Sequence, residues 1–195
     1  MYKIDLETGF IEEASRVASP NHDERPVGCK PQLIVVHGIS LPPGEFGADW
    51  IDRFFCNTLP ADAHPYFEAI ADLKVSSHFL IRRDGSLTQY VSINCRAWHA
   101  GVSCFEGQEA CNDFSIGIEL EGEDQMPYEE QQYDSLAKLI DTLRTRIDSL
   151  GKAQVVGHSD IAPGRKTDPG PAFDWCQLDT MLATGSTKVV TTGVR

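Results

Sequence analysis

Pro31-Gln32-Leu33-Ile34-Val35-Val36-His37-Gly38 contains a continuous apolar run, Leu33 to Val36, that ends on an imidazole and is bounded by Pro31 and Gly38. A short run without alternation reads as a strand covered on both faces, as in sheets flanked by helices. Ala153-Gln154-Val155-Val156 is another apolar strand and leads into Gly157-His158. If the two strands lie side by side, His37 and His158 emerge at the same sheet edge, where ligands gather in open α/β sheets.

The remaining elements extend this frame. Ser77 to Ile81 and Leu87 to Val91 read as strands, and Asp84-Gly85 between them is a hairpin signal. Ser115 to Leu120 alternates, with Ile116, Ile118 and Leu120 on one face and Gly117 and Glu119 on the other. Asp49 to Leu59 and Pro65 to Leu73 suit short helices. Glu129 to Leu150 is the clearest helix: Tyr133, Leu136, Ile140, Leu143, Ile147 and Leu150 recur at steps of three and four, and Gly151 supplies a stop. Phe173 to Leu182 reads as a closing helix. Interleaved strands and helices predict an α/β fold: one domain over residues 1–182, with a mixed central β-sheet flanked by α-helices. Ala183 to Arg195 is small, polar and unpatterned, and is expected to be a loose tail.

A chain of 195 residues, 41% hydrophobic, suffices for one domain with a substantial core. A formal charge of −12 argues against nucleic acid or an anionic membrane as partner. No apolar stretch approaches the roughly 20 residues that span a bilayer. Met1-Tyr2-Lys3-Ile4-Asp5-Leu6-Glu7 does not read as a secretory leader, so the expected location is the cytoplasm. An anionic substrate would have to be drawn by local cations, with Lys74, Arg82, Arg83, Arg96, Arg165 and Lys166 as candidates. Six cysteines without CxxC spacing read as reduced thiols, although Cys104 and Cys111 could pair in an oxidising environment.

The chemistry concentrates in Gly157-His158-Ser159-Asp160-Ile161-Ala162-Pro163-Gly164-Arg165-Lys166-Thr167-Asp168-Pro169-Gly170-Pro171. His158 and Asp168 can reach one metal ion, with His37 as a third ligand. Two His and one carboxylate leave one corner of a tetrahedral Zn²⁺ free for water, a hydrolytic rather than a structural layout. Glu119, a carboxylate inside an apolar strand, is the candidate general base. Lys166, two residues from a ligand, is the candidate oxyanion stabiliser. Among the other histidines, His22 reads as solvated, His64 as a helix cap and His78 as a satisfied core or supporting group. His99, in Trp98-His99-Ala100-Gly101, reads equally as the rim of a sugar or peptide site and as a packed turn.

Several blocks are long and unusual: Val36-His37-Gly38-Ile39-Ser40-Leu41-Pro42-Pro43-Gly44-Glu45-Phe46-Gly47, His64-Pro65-Tyr66-Phe67, Val75-Ser76-Ser77-His78-Phe79-Leu80-Ile81-Arg82-Arg83-Asp84-Gly85 and Arg96-Ala97-Trp98-His99-Ala100-Gly101-Val102-Ser103. Cys111-Asn112-Asp113-Phe114-Ser115-Ile116-Gly117-Ile118-Glu119-Leu120-Glu121-Gly122 and Arg165-Lys166-Thr167-Asp168-Pro169-Gly170-Pro171 complete the set. Together, from Ile11 to Leu182, they resemble the AmpD family, cytoplasmic 1,6-anhydro-N-acetylmuramyl-L-alanine amidases of Gram-negative bacteria. The resemblance implies a zinc amidase with a peptidoglycan-recognition-like fold, cutting the lactyl–L-Ala amide of anhydro-muropeptides in cell-wall recycling. It implies His37, His158 and Asp168 as zinc ligands, Glu119 as catalytic acid and Lys166 as the transition-state lysine. Trp98, His99, Ala100, Gly101 and Lys74 are the candidate substrate contacts, and no protein partner is implied. The chain departs from the family's common pattern at Gly38, where Asn usually follows the first ligand, and at Gly164, where Glu usually precedes Arg-Lys. The rival readings are a muropeptide-binding module without activity and a periplasmic amidase acting on intact peptidoglycan.

Overall fold

The computed structural model describes residues 1–185. Six strands form one sheet in the order Gln154–Gly157, Leu33–Ile39, Ser115–Glu121, Phe79–Ile81, Leu87–Gln89, Ser15–Arg16. The first four run parallel to one another, the Phe79–Ile81 and Leu87–Gln89 pair is the expected antiparallel hairpin, and Ser15–Arg16 pairs parallel with it. The sheet is mixed, as its sequence pattern predicts.

Period-two alternation divides the sheet between two cores. Ile34, Val36, Ile116, Ile118 and Leu120 point to one face, where Leu136, Leu139, Ile140 and Leu143 of the Glu130–Arg146 helix and Leu178 of the Trp175–Gly185 helix cover them. Leu33 and Val35 point to the other face with Ala100, Phe114 and Ile161. His37, Gly117 and Glu119 continue that second row. Beside it, Leu80 and Tyr90 carry the short helices Trp50–Phe55 and Pro65–Glu68 through Ile51, Phe54, Phe55 and Phe67. The long helix therefore backs the sheet, while the polar residues of the central strands face away from it. Leu136 is fully buried, so Leu136→Ala should lower unfolding free energy by about 2–5 kcal/mol; a denaturant midpoint within error of wild type would contradict this packing.

Several boundaries differ from expectation. His37 lies inside its strand rather than at the end, because pairing with Ser115–Glu121 continues to Ile39. It therefore projects from a face instead of capping an edge. The long helix ends at Arg146, where Ile147 is extended (φ −121°, ψ 105°), and a 3₁₀ turn spans Asp148–Leu150. A three-residue turn keeps Ile147 and Leu150 on the same apolar side, so the spacing alone did not distinguish it from continuing helix. The two short helices stop at Phe55 and Glu68, and the hairpin strands are three residues each. His22 belongs to a short strand paired with Cys95–Ala97. The closing helix continues to Gly185, into the expected tail, the rest of which lies outside the described residues. No described helix is long and apolar enough to cross a membrane, and all six cysteines are free.

Candidate active site

Strand register assembles the site. His37 on one parallel strand is the Cα partner of Glu119 on the next, and Gly157 pairs with Val36 on the other side. His158, one residue further on, thus arrives level with His37 across a strand spacing. The loop that follows its short helix returns Asp168, whose carbonyl accepts from Ser159 N at 3.0 Å. His37 Nδ1 lies 3.0 Å from His158 Nδ1 and 3.2 Å from Asp168 Oδ2, and His158 Nδ1 lies 3.1 Å from the same oxygen. Among the described residues this is the one group of three or more metal-ligating side chains that converge in this way.

The trio fits a cation better than it fits itself. His158 Nε2 donates to the Ala100 carbonyl at 3.2 Å, which leaves Nδ1 as a bare lone pair facing a carboxylate oxygen. Two acceptors at 3.1 Å repel unless a positive charge lies between them. Ligand bonds of about 2.0–2.1 Å at tetrahedral angles put donor atoms about 3.3 Å apart, close to the spacing observed. Burial, opposed by the Asp168 hydrogen bond, pulls the His37 imidazole down to about 4. Burial works against the Asp168 charge, but the adjacent His158 and His37 imidazoles outweigh it and hold that carboxyl well below the usual range. A neutral His37 imidazole beside an ionised carboxylate is the state that binds a metal ion.

Glu119 is 8% exposed, and its Oε2 is buried without a hydrogen-bond partner. Burial first and the Asp168 charge second raise its carboxyl well above the ordinary value, against the lowering pull of Lys166. These groups form the floor of a cleft of about 620 Å³, with apolar lining from Leu41, Phe54, Phe55, Tyr66, Ile70 and Leu73. Polar lining comes from Glu123, Asp124 and Gln125, and Lys166 is exposed in the same cleft.

The expected substrate contacts fare differently. His99 lines the cleft but is 8% exposed, its Nδ1 2.9 Å from His37 Nε2; it lies beneath the ligand, not on a rim. Ala100 is buried, and its carbonyl accepts from His158 and from Arg165 Nη2 at 2.6 Å. Gly101 lines a neighbouring hollow with Val102 and Arg165. Trp98 and Lys74 are absent from the cleft lining, although Leu73, Val75 and Ser76 contribute to it. The segment runs behind the ligands, because the Cys95–Ala97 strand pairs with His22–Glu24 away from the cleft. His78 is a satisfied core group: Nδ1 accepts from Gly117 N at 3.0 Å and Nε2 meets the Cys95 carbonyl at 3.2 Å. His64 caps its helix by accepting from Tyr66 N.

Tyr128, Gly38 and Gly122 pack behind the Asp168 loop. Tyr128 Oη donates to the Pro169 carbonyl at 2.9 Å, next to Asp168. A Cβ on Gly38 would lie 2.4 Å from that hydroxyl, and one on Gly122 would lie 2.4 Å from the same ring. The two glycines make a slot for the phenol, and a glycine near the end of one parallel strand with another just after its neighbour was the available signal. The departure at Gly38 thus has a structural counterpart. Gly164 adopts φ +77°, a backbone region that favours glycine.

This sheet, with a two-histidine, one-carboxylate cluster beneath an open cleft, is that of a hydrolase family. The chain belongs to the N-acetylmuramoyl-L-alanine amidase family, whose profile matches residues 27–171. It is 56% identical over 186 residues to the 1,6-anhydro-N-acetylmuramyl-L-alanine amidase AmpD of Enterobacter cloacae, covering 95% of this chain and 99% of that protein. A crystal structure of a selenomethionine AmpD derivative superposes with a TM-score of 0.88 at 53% identity, over 92% of this chain and 99% of that one. The Escherichia coli amidase AmiD, solved with the substrate anhydro-N-acetylmuramic acid-L-Ala-D-gamma-Glu-L-Lys, gives 0.56 at 28% identity, over 91% of this chain and 65% of that one.

The perturbed His37 predicts an acid-sensitive apo state. Its folded value of about 4 lies below the ordinary 6.5, so the unfolded chain takes up the proton first. The stabilising contribution is complete above 6.5 and is lost as pH falls towards 4, on the order of 2 kcal/mol by pH 5. Glu119 acts with the opposite sign and is common to wild type and His37→Leu, so their difference follows the histidine and its contact with Asp168. Between pH 7.5 and 4.5 the urea midpoint of metal-free wild type should fall relative to that of the variant; parallel curves would refute the assignment.

Proposed function

We propose that this amidase hydrolyses the amide between the lactyl group of 1,6-anhydro-N-acetylmuramic acid and the L-alanine of a stem peptide, in cytoplasmic recycling of cell-wall fragments. His37, His158 and Asp168 hold Zn²⁺ in this reading. The observation that carries it is a set of three converging ligand atoms, from His37, His158 and Asp168, in an open cleft beside a buried carboxylate with an unpaired oxygen. The near-full-length similarity to anhydro-muropeptide amidases supports the choice of bond.

A Zn²⁺ ion held by His37, His158 and Asp168 would supply Lewis acidity towards water and the scissile carbonyl. Glu119 accepts the attacking water's proton, and its raised affinity for that proton suits both acceptance and later delivery to the departing L-alanine nitrogen. The C–N bond breaks, hydroxyl remains on the lactyl carbon, and the proton leaves with the amine. Lys166 faces the cleft and balances the negative charge that builds on the carbonyl oxygen. A binding module without activity would be favoured by an incomplete donor set, and this one is complete.

Purified protein, assayed in parallel on an anhydro-muropeptide and on intact sacculi, tests the substrate. Release of free stem peptide from the first at a rate far above the second is expected. Preference for sacculi would favour the periplasmic alternative, and binding without release would favour the recognition module.

A further inference from the structure

The ligand His37 must present a bare Nδ1, and hydrogen bonds running away from the cleft decide this. Its Nε2 lies 2.9 Å from His99 Nδ1, His99 Nε2 lies 3.1 Å from Ser115 Oγ, and Ser115 Oγ lies 2.5 Å from the Cys111 carbonyl oxygen. The chain has one direction because its last member is a carbonyl, which only accepts. Ser115 must give its single proton there, so its oxygen accepts from His99 Nε2–H. A neutral His99 protonated at Nε2 has an acceptor at Nδ1, so His37 carries its proton on Nε2. His37 Nδ1 is then a lone pair aimed at His158 and Asp168.

The sheet makes room for this arrangement at one residue. A Cβ on Gly117 would lie 2.5 Å from His99 Cγ and 2.6 Å from its Nδ1. Any larger residue at that point of the central strand would occupy the space of the imidazole. Gly117 N is in turn tied to His78 Nδ1, so the strand is held under the ring.

Resting on the zinc reading above, we propose that His99 is a positioning residue: with Ser115 as its acceptor and Gly117 as its slot, it sets the tautomer and aim of the metal ligand His37. Side chains that orient a ligating histidine typically change metal affinity by 10–100-fold when removed.

The test measures the zinc dissociation constant of the full chain by competition with a chromophoric chelator. In the same metal-free samples, ¹⁵N-histidine NMR identifies which nitrogen of His37 carries the proton. Wild type should bind zinc and show His37 protonated at Nε2. His99→Leu, which keeps volume and deletes the acceptor, should weaken zinc about 10–100-fold. His99→Asn, whose Oδ1 can stand near the original Nδ1, should recover most of that loss, which a purely space-filling role would not produce. Gly117→Ala should match the leucine variant. Should His99→Leu fail to fold, Ser115→Ala serves: loss of the Nε2–H preference at His99 and several-fold weaker zinc are expected. Zinc affinity within threefold of wild type in whichever of His99→Leu or Ser115→Ala is read, or a wild-type His37 protonated at Nδ1, would overturn the proposal. A wild type that binds no zinc overturns it together with the zinc reading, whereas unchanged variants of a zinc-binding wild type sink the positioning role alone.

Discussion

Glu119→Gln should bind zinc as wild type does and turn over anhydro-muropeptide at least a hundredfold more slowly, the lower end of what a positioned acid–base group contributes. The amide keeps the volume and polarity of the side chain but cannot take up a proton from water. The same substitution should stabilise the protein at alkaline pH. Burial raises the folded-state value of Glu119 above the ordinary 4.5, so its stabilising contribution is complete below 4.5 and is lost as pH rises through the folded value. Relative to the glutamine variant, wild type should therefore become progressively less stable from acid to alkaline conditions. Loss of turnover with a gain in stability is the pattern of a group kept strained for function. Turnover within a few-fold of wild type in a zinc-loaded Glu119→Gln protein would remove Glu119 from the reaction.

Asp168→Asn should have a comparable or larger effect through a different route. Asp168 supplies the negative charge of the donor trio, and its Oδ2 lies within 3.2 Å of both imidazole nitrogens. Asparagine keeps the shape and loses the charge, so the purified variant should contain far less than one zinc per chain. At trace zinc its activity should fall by about a thousandfold, corresponding to the several kcal/mol that a Lewis-acidic ion contributes to the barrier. Excess zinc should restore part of that activity, and a strong chelator should bring wild type to the same floor. Zinc analysis alongside initial rates separates the loss of metal from misfolding. Wild type that remains fully active after exhaustive chelation would end the metal-dependent account.

Much of this was legible in the chain itself. The run at Leu33 announced a buried strand and the run at Ala153 a second strand, Asp84-Gly85 announced the hairpin, and the three-to-four spacing from Tyr133 to Leu143 announced the helix that backs the sheet. Alternation in Ser115 to Leu120 set Glu119 opposite the isoleucines, and the sheet keeps that division. The composition of the loop from His158 to Pro171 brought a histidine, a lysine and a carboxylate within a few residues of one another.

Local pattern failed where position depends on neighbours distant in sequence. Trp98-His99-Ala100-Gly101 reads equally as a binding rim and as a packed turn, and only the tertiary contacts set His99 against His37 in the wall of the cleft. Tyr128 carries no local signal, and only the approach of Gly38, Gly122 and Pro169 gives its hydroxyl a task. The amino-acid sequence alone determined which segments become strands and helices, which face of each is apolar, and which side chains carry usable chemistry, because these follow from spacing within one segment. Only the tertiary structure decided that His37, His99, His158 and Asp168 meet, and which nitrogen of each imidazole looks where. That outcome hangs on strand order and register, and slipping one strand by a single residue would turn its side chains to the opposite face.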